Sequence, residues 1–469
     1  MSHSTQPAAS AGILFDADLI RKYDGFVPRY TSYPTADRFH ERFGPADYLH
    51  ALELRNETHA AQPLSLYVHL PFCNTICYYC ACNRIVTRNR GHAAKYVESL
   101  GREIALVSRL VEGDPPVVQL HWGGGTPTFL AHEEMAALMQ ALRAGFTFAP
   151  DTEMSIEVDP RKVGPETVAF LRALGFNRMS VGIQDFDPAV QQAVNRIQTE
   201  QETRTVIDAA RAEGFTSVNA DLIYGLPLQT VNGFAATLDK VVAAAPDRIA
   251  LYSYAHVPHI AKTQRQIDER DLPPPDAKLG ILALAIERLE AAGYVYIGMD
   301  HFARPHDELA IAQRAGTLHR NFQGYSTRPD CDLLAFGISA IGKVGGAYVQ
   351  NVKALEPYYA QLEAGCLPVM RGITLDDDDR LRRDVIQRVM CDFVLDFDAL
   401  DVAHGIRFEQ RFARELAALR PLADDGLVTM EPRRLSVTPR GRLLVRTVAM
   451  QFDRHLQEAR ERSRYSRVI

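Results

Sequence analysis

The chain has 469 residues, of which 46% are hydrophobic and 23% charged, and its formal net charge is −6. This composition is typical of a globular protein, and the acidic balance gives no general reason to expect nucleic acid or an anionic membrane as a partner. The sequence lacks both a long apolar run and the basic and apolar regions of a signal peptide. We therefore expect a cytoplasmic protein, with more than one domain because of its length.

Apolar and β-branched runs alternate with helical patterns over the first 300 residues. Seven runs predict strands, at 64–70, 117–122, 154–158, 179–183, 218–223, 249–254 and 294–297. Between them lie helical patterns, for example at 93–111, 133–146, 165–176 and 201–215. This order indicates βαβ units and a parallel sheet, hence an α/β fold with a full or partial barrel.

Polar residues and glycines follow nearly every predicted strand, at the rim where barrel enzymes place their active sites. The motif "WGGGTPT" follows the second strand, and "SIEVDP" ends the third. Glycine, proline and aspartate also end strands for purely structural reasons. That explanation accounts poorly for Glu157, Gln184 and Asp221, which lie inside apolar runs.

Four of the seven cysteines lie within ten residues, directly after the first strand, at Cys73, Cys77, Cys80 and Cys82. An odd, clustered set argues against a disulfide framework. Three thiolates from one compact CxxxCxxC loop favour a [4Fe–4S] cluster with one free iron, because structural zinc usually takes two separated ligand pairs. Zinc and reactive thiols remain alternatives. Small core positions are predicted for Cys331, Cys366 and Cys391.

The cysteine loop and the glycine-rich motif together resemble the radical S-adenosylmethionine superfamily. Longer strings resemble its oxygen-independent coproporphyrinogen III oxidase family, from about residue 20 to the terminal "SRVI"; they include "PRYTSYPT", "CYYCACNRIVTR", "LHWGGGTPT", "GMDHFARP" and "LHRNFQGYST". The resemblance implies a partial (β/α)6-type parallel barrel and a smaller, mainly helical, winged-helix-like C-terminal domain. It also implies an oxidoreductase of haem biosynthesis that converts coproporphyrinogen III to protoporphyrinogen IX through 5′-deoxyadenosyl radicals.

Four segments follow from this resemblance. Residues 1–60 would reach the active site, 61–300 form the barrel, 301–370 extend it beside the substrate, and 371–469 form the C-terminal domain. A winged helix can bind DNA, but the acidic stretches of this segment favour a lid over the substrate.

The resemblance also implies the residues that bind the cofactors. The cluster ligands would be Cys73, Cys77 and Cys80. Two S-adenosylmethionine molecules are expected. The first would lie along Tyr67, Gly124, Glu157 and Ile341. The second would lie along Tyr79, Gly125, Thr126, Gln184, Arg196, Asp221 and Ala255. A surface salt bridge is the alternative for Arg196, since "NRIQTEQETR" also reads as the start of a helix.

Cys82 cannot be a fourth ligand if the cluster is to keep a free iron. It is either a buried small residue or a catalytic thiol beside the site, and we predict the catalytic role.

A tetra-acid substrate requires cations in the site. The candidates are Arg29, His301, Arg304, His306, Arg314, His319 and Arg320, with Gln323 as an uncharged hydrogen-bond donor. A solvated helix face is the alternative for any single one of them.

The predicted partners are coproporphyrinogen III and an electron donor such as a flavodoxin or ferredoxin, with a monomeric chain and neither nucleic acid nor membrane. Two rival functions remain: a haem chaperone of the same branch, and a radical S-adenosylmethionine enzyme with another substrate. Such chaperones usually carry an aromatic residue at the position of Cys82 and lack "YTSYP", so both features favour the oxidase.

Overall fold

The computed structural model describes residues 12–328 and 331–458, and the elements named here lie in those ranges. The strands are β1 Leu64–Leu70, β2 Phe72–Cys73, β3 Ile85–Val86, β4 Val117–Gly124, β5 Phe148–Val158, β6 Arg178–Gln184, β7 Ser217–Tyr224, β8 Arg248–Ser253, β9 Val295–Gly298, β10 His301–Ala303, β11 His319–Asn321, β12 Gly324–Ser326, β13 Asp332–Phe336, β14 Ile341–Val344, β15 Ala347–Asn351, β16 Val369–Thr374, β17 Val394–Asp396, β18 Val428–Glu431 and β19 Arg434–Val437. The helices are α1 Ala17–Tyr23, α2 Pro45–His59, α3 Gly91–Ser108, α4 His132–Gly145, α5 Pro165–Ala173, α6 Pro188–Ala193, α7 Glu200–Ala212, α8 Val231–Ala244, α9 Pro275–Ala291, α10 Glu308–Ala315, α11 Leu355–Glu363, α12 Asp377–Asp392, α13 Phe397–His404, α14 Phe408–Arg411, α15 Ala413–Ala418, α16 Arg420–Asp424, α17 Val445–Ala449 and α18 Arg454–Glu458.

Six parallel strands form the barrel wall, in the order β1-β4-β5-β6-β7-β8. The α/β prediction and the partial (β/α)6 barrel are confirmed. Strand β13 pairs in parallel with β1 on the outer side, and β14, β15 and β16 continue the sheet antiparallel. Strands β1 and β8 do not pair within the described ranges, so the wall stays open between them.

The seventh predicted strand, 294–297, is present as β9 but is not the next strand of the parallel wall. It pairs antiparallel with β10, which itself pairs antiparallel with β8. Only Met299 and Asp300 separate β9 from β10, and a two-residue connection can join only antiparallel strands. The hairpin therefore brings β10 next to β8 and ends the parallel wall at six strands.

The barrel strands alternate between an apolar outer face and a polar inner face. On β1, Leu64, Leu66 and Val68 are fully buried, in the hydrophobic core. The alternate residues, Ser65 and Tyr67, face the interior, because side chains alternate across a strand. The same inner face carries Gln119 on β4. Barrels are usually filled with branched apolar side chains, whereas the inner face of this barrel is polar.

The C-terminal part consists of helices and the three-stranded sheet β17-β19-β18. It contains the predicted helix, hairpin and second helix. The N-terminal segment lies against it: Tyr30 donates a hydrogen bond to Asp453 over 3.0 Å, and Arg446 donates to the carbonyl of Val27 over 3.0 Å. The domain boundaries remain predictions, and "SRVI" lies outside the described residues.

Among the described residues, no helix is long and apolar enough to span a bilayer. The prediction of core cysteines is correct for Cys391, which is buried, and wrong for Cys366, which is exposed. Cys366 lies between α11 and β16, and such connections usually run along the surface. Cys331 is half-buried.

Candidate active site

A cavity of about 420 Å³, the cysteine cavity, opens at the carboxyl ends of the barrel strands. Cys73, Cys77, Cys80 and Cys82 all line it. The loop that carries them is held by the short parallel pair of β2 and β3. The hydroxyl of Thr126 lies 3.5 Å from the sulfur of Cys73, so the glycine-rich loop contacts the cysteine loop.

The thiols have different environments. Burial raises the pKa of Cys73 to about 11. The thiol of Cys82 hydrogen-bonds to Cys80, which lowers the pKa of Cys80 to about 6 and raises that of Cys82 well above its usual value. Cys82 is an exposed residue, so the alternative that it is a buried small residue is wrong.

Within the ranges that the structure describes, no three histidine, cysteine or carboxylate side chains converge on a point where a single metal ion could bind. A [4Fe–4S] cluster suits the same thiols better, since its ligands bind separate corner irons.

The glycines of "WGGGTPT" allow a close approach that no side chain would permit. At Gly124, where φ is +111°, a Cβ would lie 2.5 Å from the ring of His69. At Gly125 it would lie 2.6 Å from the backbone of Pro71. The backbone N–H of Gly124 instead donates to Glu157 over 3.0 Å. The glycines therefore let this loop pack closely against His69 and Pro71, and they leave bare backbone at the edge of the cavity, which suits the binding of a cofactor.

Two predicted carboxylates line the cavity, and their pKa values are shifted in opposite directions. Burial raises the pKa of Asp221 to about 6, although Ser180 and Asn219 each donate a hydrogen bond to it over 2.8 Å. Burial also acts on Glu157, but His121 at 3.5 Å and the N–H of Gly124 outweigh it and lower its pKa. Glu157 is thus the firmly anionic member of the pair.

Arg196 is 7% exposed, so the alternative of a surface salt bridge is wrong. It donates to the carbonyl of Gly182 over 2.6 Å and pairs with Asp159 at 3.5 Å. Burial would lower the pKa of Arg196, but Tyr79, Asp159 and Cys77 raise it. Its Nε atom has no hydrogen-bond partner in the protein, and neither has Oε1 of Gln184. Buried polar atoms without partners at a cavity wall fit a polar ligand.

Three predicted cofactor residues do not line this cavity. Tyr67 lies lower on β1, where its hydroxyl is 3.0 Å from His69 and its ring stacks on that of His121. Ala255 lies behind Tyr79, since the side chain of Gln264 donates to both of their carbonyls. Ile341 begins β14 and packs beside Tyr348. The remaining predicted residues, Gly124, Gly125, Thr126, Glu157, Gln184, Arg196, Asp221 and Tyr79, all line the cavity.

Sequence reasoning missed several residues of the same wall, above all Asp159 and Arg161. Arg161 donates to Asp159 over 2.9 Å and lies 3.9 Å from the sulfur of Cys77. The signal was available, because Asp159 follows the third strand directly within "SIEVDPR". Ser180 was also missed, and a hydroxyl inside a strand carries no comparable signal.

The predicted substrate residues are divided among several places. His319 and Arg320 line a second cavity of about 360 Å³, and His301 and Gln323 line a third of about 170 Å³ between the other two. Arg29 forms an ion pair with Asp300. Neither Arg29 nor the other three residues line any of these cavities. Arg304 lies over the ring of Tyr294, and His306 and Arg314 are exposed.

Known proteins match the chain along most of its length. The profile of the Radical SAM superfamily matches residues 67–241, and that of the HemN C-terminal domain matches residues 375–444. The oxygen-independent coproporphyrinogen III oxidase of Pseudomonas aeruginosa is 51% identical over 459 residues, covering 97% of this chain and 99% of the relative. The Escherichia coli protein of that name is 49% identical over 455 residues, covering 97% and 98%.

The chain belongs to the oxygen-independent coproporphyrinogen III oxidase family. The solved structure of coproporphyrinogen III oxidase (HemN) from Escherichia coli, a radical SAM enzyme, superposes with a TM-score of 0.91 at 48% identity and covers 95% of this chain and 100% of that one. The present chain is accordingly a radical S-adenosylmethionine oxidoreductase with a [4Fe–4S] cluster, and the superfamily prediction is confirmed.

Proposed function

We propose that this enzyme decarboxylates coproporphyrinogen III oxidatively to protoporphyrinogen IX without oxygen. The observation that carries the proposal is the cysteine cavity, where three thiols meet a glycine cradle, an anionic Glu157 and a buried Arg196. The names of the full-length relatives support the substrate.

The atom balance defines what the site must do. Each reacting propionate loses one hydrogen atom from the carbon attached to the ring. It also loses its carboxyl group as CO2, and what remains is a vinyl group. One electron leaves to a one-electron acceptor. The bound cluster and S-adenosylmethionine supply the 5′-deoxyadenosyl radical that takes the hydrogen.

The residues of the chain bind and orient these groups. Cys73, Cys77 and Cys80 hold the cluster. Gly124 and Glu157 bind the first S-adenosylmethionine, since a bare backbone edge and an anionic carboxylate suit its methionyl ammonium. In the same proposal, Tyr67 and Ile341 complete this first site.

A second S-adenosylmethionine is proposed along the other wall. Arg196 suits a carboxylate because a guanidinium can pair with it bidentately, and Gln184 presents an unpaired oxygen. Asp221 accepts hydrogen bonds already and would receive those of ribose hydroxyls. The other members of this site are Tyr79, Gly125, Thr126 and Ala255.

Cys82 is proposed as a catalytic thiol. It faces the cavity and hydrogen-bonds to a cluster ligand, so it could move a proton or tune the cluster without ligating it.

The reducing partner is proposed to be a small acidic redox protein such as a flavodoxin or ferredoxin. Residues 74–97, which surround the cluster ligands, contain four basic and no acidic residues. Such a segment favours an acidic partner. The monomeric state and the cytoplasmic location stay predictions.

The test is an anaerobic assay of the reconstituted protein with coproporphyrinogen III. The vinyl product is expected. Stable haem binding without turnover would favour the chaperone instead, and cleavage of S-adenosylmethionine without a porphyrin product would indicate a different substrate.

A further inference from the structure

A second cavity, the basic cavity of about 360 Å³, lies at the opposite end of the barrel from the cysteine loop. Ser65 and Gln119 line it from near the amino ends of β1 and β4. The hairpin of β11 and β12 forms one side, and helix α12 of the C-terminal part covers it. Thr31 of the N-terminal segment completes the wall.

The lining of this cavity is strongly positive, although the chain as a whole is acidic. It contains one acidic residue, Asp384, and five basic ones: Arg320, Arg328, Lys343, Arg380 and Arg383. Acidic residues outside the cavity balance part of this charge. Arg328 lies 3.2 Å from Glu153, and Arg380 lies 2.8 Å from Asp377.

Arg320 gives the clearest indication of a ligand. It is 4% exposed, and its Nε and Nη1 atoms have no hydrogen-bond partner in the protein. Its backbone is held firmly, since Gln387 of α12 accepts from its N–H over 3.2 Å and donates to its carbonyl over 2.6 Å. Burial of a charged donor without a partner is costly. A ligand carboxylate could accept a charge-assisted hydrogen bond from either of these N–H groups.

The basic cavity and the cysteine cavity are separate, and the third cavity adjoins both of them in the barrel interior. The third cavity, of about 170 Å³, shares Gln119 and Ser326 with the basic cavity. It shares Glu157, Ser180 and Asp221 with the cysteine cavity. Along β4, Gln119 and Gly124 are five residues apart, about 17 Å. A tetrapyrrole with propionates on opposite edges is of a size to bridge such a span.

We propose that the basic cavity binds the two propionates that the product retains, with Arg320, Lys343 and Arg383 as the specificity-determining residues. This inference rests on the proposed function, in which two of four carboxyl groups survive. A cationic site that must hold the substrate through both decarboxylations can use only carboxylates that the reaction does not remove. Helix α12 thereby gives the C-terminal part a direct role in substrate selection.

The test compares two ligands on the reconstituted holoenzyme. One is coproporphyrin III, the oxidised and fluorescent tetra-acid. The other is its derivative with methyl esters on the two propionates that the product retains. Arg320→Gln and Arg383→Gln should weaken binding of the tetra-acid by about 10- to 150-fold, the range for a lost hydrogen bond to a charged group. Neither variant should weaken binding of the diester, which already lacks the contact.

The matched control is Arg102→Gln, an equal loss of charge at an exposed position of α3; it should leave the affinities of both ligands unchanged. Iron content should stay near wild type in all three variants, which shows that each is folded and loaded with its cluster. Equal weakening of both ligands would assign Arg320 and Arg383 a merely structural role and overturn the proposal, as would unchanged binding of the tetra-acid.

Citrate serves as a probe for a free small carboxylate. Competition between citrate and coproporphyrin III supports the proposal, whereas saturable citrate binding without competition would assign the cavity to another ligand. The two proposals fail separately. If the tetra-acid binds selectively but no vinyl product forms, only the proposed reaction is refuted. If the vinyl product forms but neither arginine variant changes the affinity for the tetra-acid, only the role of the cavity is refuted.

Discussion

The cysteine cavity and the basic cavity differ in the balance of their charges. The cysteine cavity has four acidic and four basic side chains beside its four thiols. The basic cavity has five basic side chains and one acidic. A balanced set suits a ligand that carries both signs, as the methionyl group of S-adenosylmethionine does. An unbalanced set suits a polyanion. The two ends of one barrel are thus fitted to two different kinds of molecule.

The largest expected effect concerns the thiols. Cys73→Ala, Cys77→Ala and Cys80→Ala should each abolish the iron chromophore and the cleavage of S-adenosylmethionine, because a missing thiolate leaves a corner iron labile. Iron analysis and an anaerobic cleavage assay check this. Cys366→Ala, at an exposed position far along the chain, is the matched control and should retain both. Full iron and full cleavage in any of the three variants would show that the ligand assignment is wrong.

The next largest effect concerns the proposed second S-adenosylmethionine in the cysteine cavity. Asp221→Ala should weaken the second S-adenosylmethionine by about 10- to 150-fold, the value of a hydrogen bond to a charged group. The first molecule should stay bound. Equilibrium dialysis measures both, with Asp239→Ala as a control at an exposed ion pair with Arg288. Binding of only one S-adenosylmethionine per wild-type chain would contradict the proposal of two sites.

A smaller effect is expected for Cys82, because its proposed role differs from that of the three cluster ligands. Cys82→Ser should keep iron and sulfide near wild type, while porphyrinogen turnover falls at least tenfold, or ~1.4 kcal/mol of barrier. Turnover within a few-fold of wild type would remove its catalytic role. Loss of the cluster would mean that all four thiols serve the metal.

Glu103 provides a reference outside both cavities, where an effect on stability without an effect on chemistry is expected. It is 2% exposed, and burial raises its pKa to about 7, although Tyr358, Gly337 and Asn351 donate hydrogen bonds to it. The folded state therefore binds the proton more tightly than the unfolded state. This stabilisation is complete below the unfolded pKa of 4.5 and is lost as the pH rises through about 7.

Relative to Glu103→Gln, the unfolding free energy of the wild type should fall by up to about 3 kcal/mol between pH 4 and pH 8. Urea unfolding at the two pH values measures this difference. Equal pH dependence of the two proteins would show that Glu103 does not titrate in this range. Cleavage of S-adenosylmethionine at pH 8 should be the same in both.

The sequence predicted the cysteine cavity well because its information is local. The thiols lie in one loop. The alternation of apolar and polar residues identifies the strands, and the glycine-rich motif identifies a strand end that faces the cysteine cavity. The reversal at Met299 and Asp300 was not predicted, since β10 is only three residues long and too short to be recognised as a strand from its pattern.

The basic cavity could not be predicted because no single segment encodes it. Arg380 and Arg383 lie in "DDDDRLRRD", which reads as a solvated helix face. They become part of a site only when α12 covers the hairpin that carries Arg320. Charge density alone also misplaced Arg304, His306 and Arg314, because composition does not tell which side of a segment faces the barrel.

The most direct measurement follows one hydrogen atom. Coproporphyrinogen III carrying deuterium on the ring-attached carbon of its reacting propionates is incubated anaerobically with the reconstituted enzyme and S-adenosylmethionine. Deuterium is expected in 5′-deoxyadenosine, and each vinyl group formed should have lost one deuterium. Formation of the vinyl product with unlabelled 5′-deoxyadenosine, or release of the deuterium to solvent, would contradict the proposed reaction at the cysteine cavity.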